Sequence, residues 1–407
     1  MTHETHTLPN GIRLLHVPDP SPVAYCGMAI NAGTRDEHAD EQGMAHFVEH
    51  LLFKGTKKRK AWHILNRLES VGGELNAYTT KEETFLYSAV LQQDFERAME
   101  LTADIVFYSV FPQNELEKEI GIVLDEINLF RDSPSELIFD DFEEMLFDGY
   151  AIGKNILGNE ATLETFTQEK VKRFVARTYH PAEMLFFSLG NIPFAKIVRW
   201  AEKYFDGVSP SARQTKREAP LNYRPQKNTL KKDTFQTHYM LGNRACNLHE
   251  REKSIALYLL NNILGGPGMN SRLNLALRER NALVYNVESN VSAYSDTGIW
   301  SIYFGCDTAD RRRCERLVFK ELEILKEKPI PAHQLQRYKR QLLGQIAIAS
   351  ENKEQLILSM SKNLLHHCRL DSFEETSRQI GDITAQQLQH LAREVFDNEQ
   401  LCTLIYE

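Results

Sequence analysis

A chain of 407 residues exceeds what one hydrophobic core usually organises and suits two domains of about 200 residues each. With 42% hydrophobic and 26% charged residues it has the composition of a globular protein with ample apolar surface to bury, and its formal charge of −8, from 56 acidic and 48 basic residues, excludes a nucleic-acid scaffold. No run of about 18 apolar residues and no basic-then-apolar leader occurs, so neither a membrane span nor a signal peptide is expected.

The six cysteines, Cys26, Cys246, Cys306, Cys314, Cys368 and Cys402, lack C-x-x-C spacing, which points to reduced thiols and a cytoplasmic location. His366-His367-Cys368 is the one cluster suggestive of a metal. Neighbouring residues on a helix point in different directions, which argues against a shared ligand set.

In chain order, the turn Leu8-Pro9-Asn10-Gly11 leads into Ile12 to Val17, and Ala24 to Ala32 alternates apolar and small residues, so a hairpin of two strands is expected. From Glu41 to Phe53 the apolar residues Met44, Phe47, Val48, Leu51 and Leu52 recur at three- and four-residue spacings, the mark of an amphipathic helix. A helix near Ala61 to Val71 follows, then strands around Glu74 to Tyr78 and Thr84 to Val90. Long helices are predicted at Asp94 to Phe107 and Asn114 to Phe130, another at Thr167 to Arg177, and a strand at Met184 to Leu189. The run Lys57 to Lys60 and His180 before Pro181 read as solvated surface and turn.

Pro210, Pro220 and Pro225 punctuate a polar stretch without periodicity, which places a linker at 211–227 between domains at 1–210 and 228–407. The second half then repeats the first. Phe111 to Ile127 aligns with Ile330 to Ile346 at a constant offset, Thr167 to Leu189 resembles Thr384 to Leu404, and Ser254 to Leu264 matches the helix after Glu41. Opposite His46, Glu49 and His50 stand Leu257, Leu260 and Asn261; opposite Glu119 and Glu126 stand Tyr338 and Gln345. Since one copy makes these helices without the polar groups, the other keeps them for chemistry.

That chemistry is legible in His46-Phe47-Val48-Glu49-His50. On a helix His46 and His50 stand one above the other, so both imidazoles can reach one ion. Glu49 lies beside them, placed to take a proton from a water activated there as a general base. A catalytic zinc needs a third protein ligand from another element. Glu126 is the candidate, with Glu119 two turns earlier on the same helix face; two acids on an otherwise apolar face are costly unless they meet a cation.

On these residues the chain resembles the pitrilysin and insulinase family of zinc metallopeptidases, the inverzincins. His46 to Thr56 is similar to the processing-peptidase form of the family motif, and Glu126, 76 residues after His50, falls where the family has its third ligand. The resemblance runs almost the length of the chain and implies an α+β fold of two homologous domains, each a mainly antiparallel sheet covered by helices, together forming half of a clamshell. It implies one Zn2+ per chain on His46, His50 and Glu126, and a supporting catalytic role for Glu119. Gly72 to Thr80 looks like the family's edge strand, implying that Asn76, Ala77, Tyr78 and Thr79 bind the peptide substrate as an added strand. Arg278 and Tyr285 have the spacing of the family's Arg/Tyr pair, implying that Arg278 orients the substrate backbone and Tyr285 hydrogen-bonds the developing oxyanion. Leu264 to Gly268 is similar to the family's glycine-rich turn and lacks the G-K-[ST] of a phosphate loop.

The expected activity is zinc-dependent endopeptidase action on peptides or unfolded chains. A chain with two such units would need a partner to close a chamber, so a homodimer is expected, with Arg278 and Tyr285 serving the partner's zinc site; a heterodimer with a related subunit is the variant. Two rival classes are a non-catalytic subunit and a zinc-binding protein without hydrolytic activity. Neither has a use for Glu49, Arg278 and Tyr285 together.

Overall fold

Asn10 and Gly11 reverse the chain at its start. Gly11 has φ +99°, a left-handed conformation that side chains rarely adopt, and the Asn10 amide donates to the Phe205 carbonyl at 2.9 Å. The computed structural model describes residues 2–213, 216–232 and 234–407. The turn joins β1 (Glu4–Thr7) to β2 (Arg13–Pro18), which pair antiparallel. They open a six-stranded sheet completed by β3 (Val23–Ile30), β4 (Glu74–Thr79), β5 (Thr84–Leu91) and β6 (Met184–Gly190), in the order β1-β2-β6-β3-β5-β4.

The expected hairpin of Ile12–Val17 with Ala24–Ala32 is therefore corrected. β6 inserts between β2 and β3, parallel to the first and antiparallel to the second. Alternating apolar residues reveal that a strand exists and which face it buries, but not its neighbour. The Thr5-bearing strand β1 had no such signal, being four exposed residues held by backbone pairing.

Every residue of β6 is buried, as expected of a strand covered on both faces. Leu185, Phe187 and Leu189 pack with Leu15, Phe85 and the helix Lys353–Leu365 through Ile357, Leu358 and Leu365. On the opposite face Phe186 meets Phe205 of the helix Phe194–Phe205, ring centroids 5.6 Å apart.

The second sheet has five strands: β7 (Lys227–Leu230), β8 (Thr237–Ala245), β9 (Val284–Ala293), β10 (Gly298–Cys306) and β11 (Cys402–Tyr406), ordered β7-β11-β8-β10-β9. Like the first, it has a single parallel pair, β7 with β11, among antiparallel neighbours. Period-two alternation along β10 sends Trp300, Ile302 and Phe304 into one core and Ile299 and Tyr303 into another, so this sheet too is covered on both faces.

Contacts divide the chain into two compact units, residues 1–128, 154–218 and 349–372, and residues 129–153, 219–348 and 373–407. The expected contiguous domains, 1–210 and 228–407, are thus corrected: each half lends a helical segment to the other unit. The helix Pro134–Leu146 buries Ile138, Phe142 and Leu146 against Met240, Tyr303 and Leu404 of the second sheet. A helix pattern shows that a face is buried, not which sheet buries it. The expected linker 211–227 includes Gln214 and Thr215, which lie outside the described residues; its Arg213 and Arg217 are anchored on Asp36 at 2.8 Å each. Among the described residues no helix is long and apolar enough to cross a membrane, and all six cysteines are free thiols.

His16 shows what burial inside the first sheet costs. It is wholly buried, its Nδ1 2.9 Å from the Ser188 hydroxyl, and burial lowers its pKa from 6.5 to about 4. Because the folded value is depressed, the unfolded chain takes up the proton first as pH falls, so stability is fully present above pH 6.5 and drains away toward pH 4. The residue accounts for about 3 kcal/mol of that loss. Denaturant titrations of His16→Gln should show a shallower stability decline across this window than the wild-type chain; parallel curves would contradict the assignment.

Candidate metal centre

The motif helix, Met44–Leu52, buries Met44, Ala45, Phe47, Val48, Leu51 and Leu52 in the core. This burial fixes its rotation and turns His46, Glu49 and His50 to the other side. Its start is equally constrained. Gly43 has φ +91°, and a Cβ there would lie 2.6 Å from the Leu157 carbonyl oxygen, so only glycine fits. Glu37 caps the first turn, one carboxylate oxygen accepting from the Gly43 N–H at 2.9 Å and the other from the Ala45 N–H at 2.8 Å. Burial pushes the Glu37 pKa up against these two bonds.

The His46 and His50 rings meet edge to face, centroids 4.6 Å apart and planes inclined by 66°. The helix Gln113–Arg131 brings Glu126 to them, with its Oε2 3.8 Å from His46 Nε2 and 3.7 Å from His50 Nε2. Two ligands each about 2.1 Å from one ion at a tetrahedral angle lie about 3.4 Å apart, so the two distances to Glu126 exceed a zinc-site spacing by a few tenths of an ångström, and one ligand atom from each of the three residues lies within 4.8 Å of the others. Donor chemistry agrees: two imidazoles and one carboxylate leave a fourth position open.

Glu119 sits one shell further out. Its Oε2 accepts from His50 Nδ1 at 3.0 Å and its Oε1 pairs with Lys54 Nζ at 2.6 Å. Donation from Nδ1 fixes the His50 tautomer, leaving the Nε2 lone pair directed at the ion position. Burial works against ionised Glu119, but the His50 and Lys54 hydrogen bonds outweigh it and hold its pKa low. The same bond to Glu119 raises the His50 pKa, whereas burial lowers that of His46 to about 4. Glu49 is raised by burial; its Oε2 is buried without a hydrogen-bond partner among the described residues, an acceptor awaiting a donor that a bound molecule would bring.

The motif helix packs against β4, the edge strand carrying Asn76, Ala77, Tyr78 and Thr79. These residues pair with Tyr87, Leu86, Phe85 and Thr84 of β5, and the other flank of β4 has no partner strand among the described residues. Arg278 and Tyr285 belong to the second unit. Arg278 lies in the π-helical turn Asn274–Glu279 and lines a cleft of about 480 Å³ with Asn261, Asn262 and Ser289. Tyr285, near the start of edge strand β9, is 88% exposed.

The helix Arg251–Gly265 shows what replaces the polar face in the second unit. Leu257 and Leu260 are buried in its core. Asn261, at the position of His50, donates to the Ser289 carbonyl at 2.7 Å and so staples the helix to β9. Sequence reasoning missed Lys54 and Glu37. Lys54 follows His50 by four residues, a spacing that could have flagged it; Glu37 caps from outside any local capping-box spacing.

Residues 13–160 match the family model described as Insulinase (Peptidase family M16), and residues 165–342 that described as Peptidase M16 inactive domain. The chain is 31% identical over 402 residues to an uncharacterized zinc protease of Bacillus subtilis, covering 98% of this chain and 97% of that one. It is 32% identical over 396 residues to one of Rickettsia felis, covering 96% and 94%. Two solved structures share the fold: a protease from Helicobacter pylori, with TM-score 0.91 at 22% identity over 100% of this chain and 99% of that one, and a peptidase M16 inactive domain from Pseudomonas fluorescens, with TM-score 0.92 at 19% identity over 100% and 98%. The fold is that of the two-domain M16 peptidases. The chain belongs to the M16, or insulinase, family.

If His50 owes its orientation to Glu119, Glu119→Gln should weaken zinc binding about 10- to 100-fold in a chelator competition. Affinity should also fall on acidification through the raised His50 pKa, since protonated imidazole cannot bind metal. Unchanged affinity in the variant would refute the link.

Proposed function

We propose that the chain is a zinc-dependent endopeptidase acting on peptides or unfolded polypeptides. The observation that carries this reading is the convergence of His46, His50 and Glu126 beside Glu49, next to a strand edge free for pairing. Zinc would be held by His46, His50 and Glu126, one per chain, and when bound it supplies Lewis acidity, acidifying a water and polarising a carbonyl. Glu49 takes the proton from the attacking water and delivers it to the leaving amine nitrogen. Its burial favours the first transfer, because a carboxylate whose pKa is raised is the stronger base toward the water and holds the proton until the amine takes it.

Pairing of a peptide backbone with β4 along Asn76 to Thr79 would hold the substrate extended, and main-chain hydrogen bonds would tolerate many sequences. Arg278 would orient that backbone and Tyr285 would donate to the oxyanion. The exposure of Tyr285 supports a role completed by a second chain, so we place the working enzyme in a homodimeric chamber with the pair acting in trans, in the cytoplasm as the free thiols favour.

Glu49→Gln should keep one zinc per chain and lose about 10²- to 10⁴-fold in peptide turnover; near-normal turnover would sink the assignment. Mixing Glu49→Gln chains with Tyr285→Phe chains should restore part of the activity if the pair acts in trans. No restoration, in a mixture shown to exchange subunits, would assign the pair to its own chain.

A further inference from the structure

The turn Thr80–Glu83 joins β4 to β5 and carries three successive charged residues, Lys81, Glu82 and Glu83, at 2%, 0% and 1% exposure. Charges so buried are severely destabilising unless paired. Each is met by a segment distant in sequence. Glu82 pairs with Arg35 at 2.7 Å and Arg217 at 3.4 Å, and Lys81 Nζ donates to the Lys154 carbonyl. Glu83 Oε1 receives His366 Nε2 at 2.6 Å and Lys362 Nζ at 3.3 Å. The Thr34 and Arg35 N–H groups bond the Thr80 and Lys81 carbonyls.

Glu82, Glu83 and His366 lie close enough together to hold a metal. Their charge is already balanced, however: two carboxylates face the fixed cations of Arg35, Arg217 and Lys362, so a dication would meet a site that needs none. Neighbouring His367 turns instead toward Arg13, its Nδ1 3.5 Å from Nη1. Burial opposes an ionised Glu83, yet the His366 and Lys362 contacts hold its pKa at about 2, so its carboxylate stays charged well below neutral pH.

The turn begins one residue after Thr79. We propose that His366, with Lys362, is a positioning residue for the peptidase reaction: through Glu83 it anchors the end of β4 and so fixes the strand on which the substrate is laid. This rests on the edge-strand reading above. The helix Lys353–Leu365 keeps its seat on the sheet through Ile357, Leu358 and Leu365, so removing the His366 contact loosens the turn at Glu83, beside the end of β4, without undocking the helix. Among the described residues no hydrogen bond or ion pair joins His366 or Glu83 to His46, His50 or Glu126, so the loss falls on peptide binding.

The test compares zinc-loaded full-length His366→Leu, His366→Gln and wild-type chains on an internally quenched peptide, with zinc content and amide exchange measured on each. His366→Leu should raise KM about tenfold with kcat within about twofold, and the amides of residues 74–79 should exchange about tenfold faster while those of 44–52 do not change. His366→Gln, which keeps a donor for Glu83, should stay close to wild type. The proposal is overturned by an unchanged KM, by a kcat that falls in step with the affinity, by a Gln variant as impaired as the Leu variant, or by a second zinc equivalent that disappears with His366. Should the wild-type chain cleave no peptide, the peptidase reading fails, and strand exchange alone still decides whether His366 anchors β4.

Discussion

Two imidazoles one helical turn apart and a carboxylate from a second helix must stand within about 4 Å of one another, in a region where each could satisfy itself on a nearer neighbour. Much of the first unit answers that constraint. The motif helix is pinned along its apolar face, at its first turn by Glu37 and Gly43, and on its polar side by the chain His50–Glu119–Lys54. The nitrogen of His50 that could wander is committed to Glu119, so the other is left facing Glu126. Burial lowers the His46 pKa to about 4, which leaves its imidazole neutral and able to bind a metal under ordinary conditions.

The second unit solves the same architectural problem without the chemistry. Its helix Arg251–Gly265 also packs against its sheet's edge strand, but leucines take the places of His46 and Glu49, and Asn261 spends its polar group on Ser289. A polar residue at that position is therefore compatible with a purely structural use. What separates the first unit is that its polar groups meet one another and leave Glu49 Oε2 unsatisfied, a cost that a folded protein sustains where the group has work to do on a bound molecule.

Elements with strong periodicity were legible in the sequence: the motif helix, the long helices and the central strands follow from apolar spacing alone. So was the grouping of His46, His50 and Glu126, because i, i+4 spacing fixes His46 over His50 and because Glu126 is conspicuous as an acid on a half-buried helix; the structure brings the three together. Tertiary choices were not. Alternation in Arg13–Pro18 and Val23–Ile30 could not reveal that Met184–Gly190 would come between them. The apolar faces of Pro134–Leu146 and Lys353–Leu365 could not announce that each docks on the other half's sheet. Nothing in the sequence of Lys81-Glu82-Glu83 announces its burial, which only the partners supplied from residues 35, 217, 362 and 366 make intelligible.

The proposed function depends on one zinc held by two imidazoles and one carboxylate. Zinc-edge X-ray absorption on the metal-loaded chain reads this directly. The expected result is a four-coordinate ion with two imidazole nitrogens at about 2.0 Å, oxygen completing the shell and no sulfur. A sulfur shell, or fewer than two imidazoles, would contradict it.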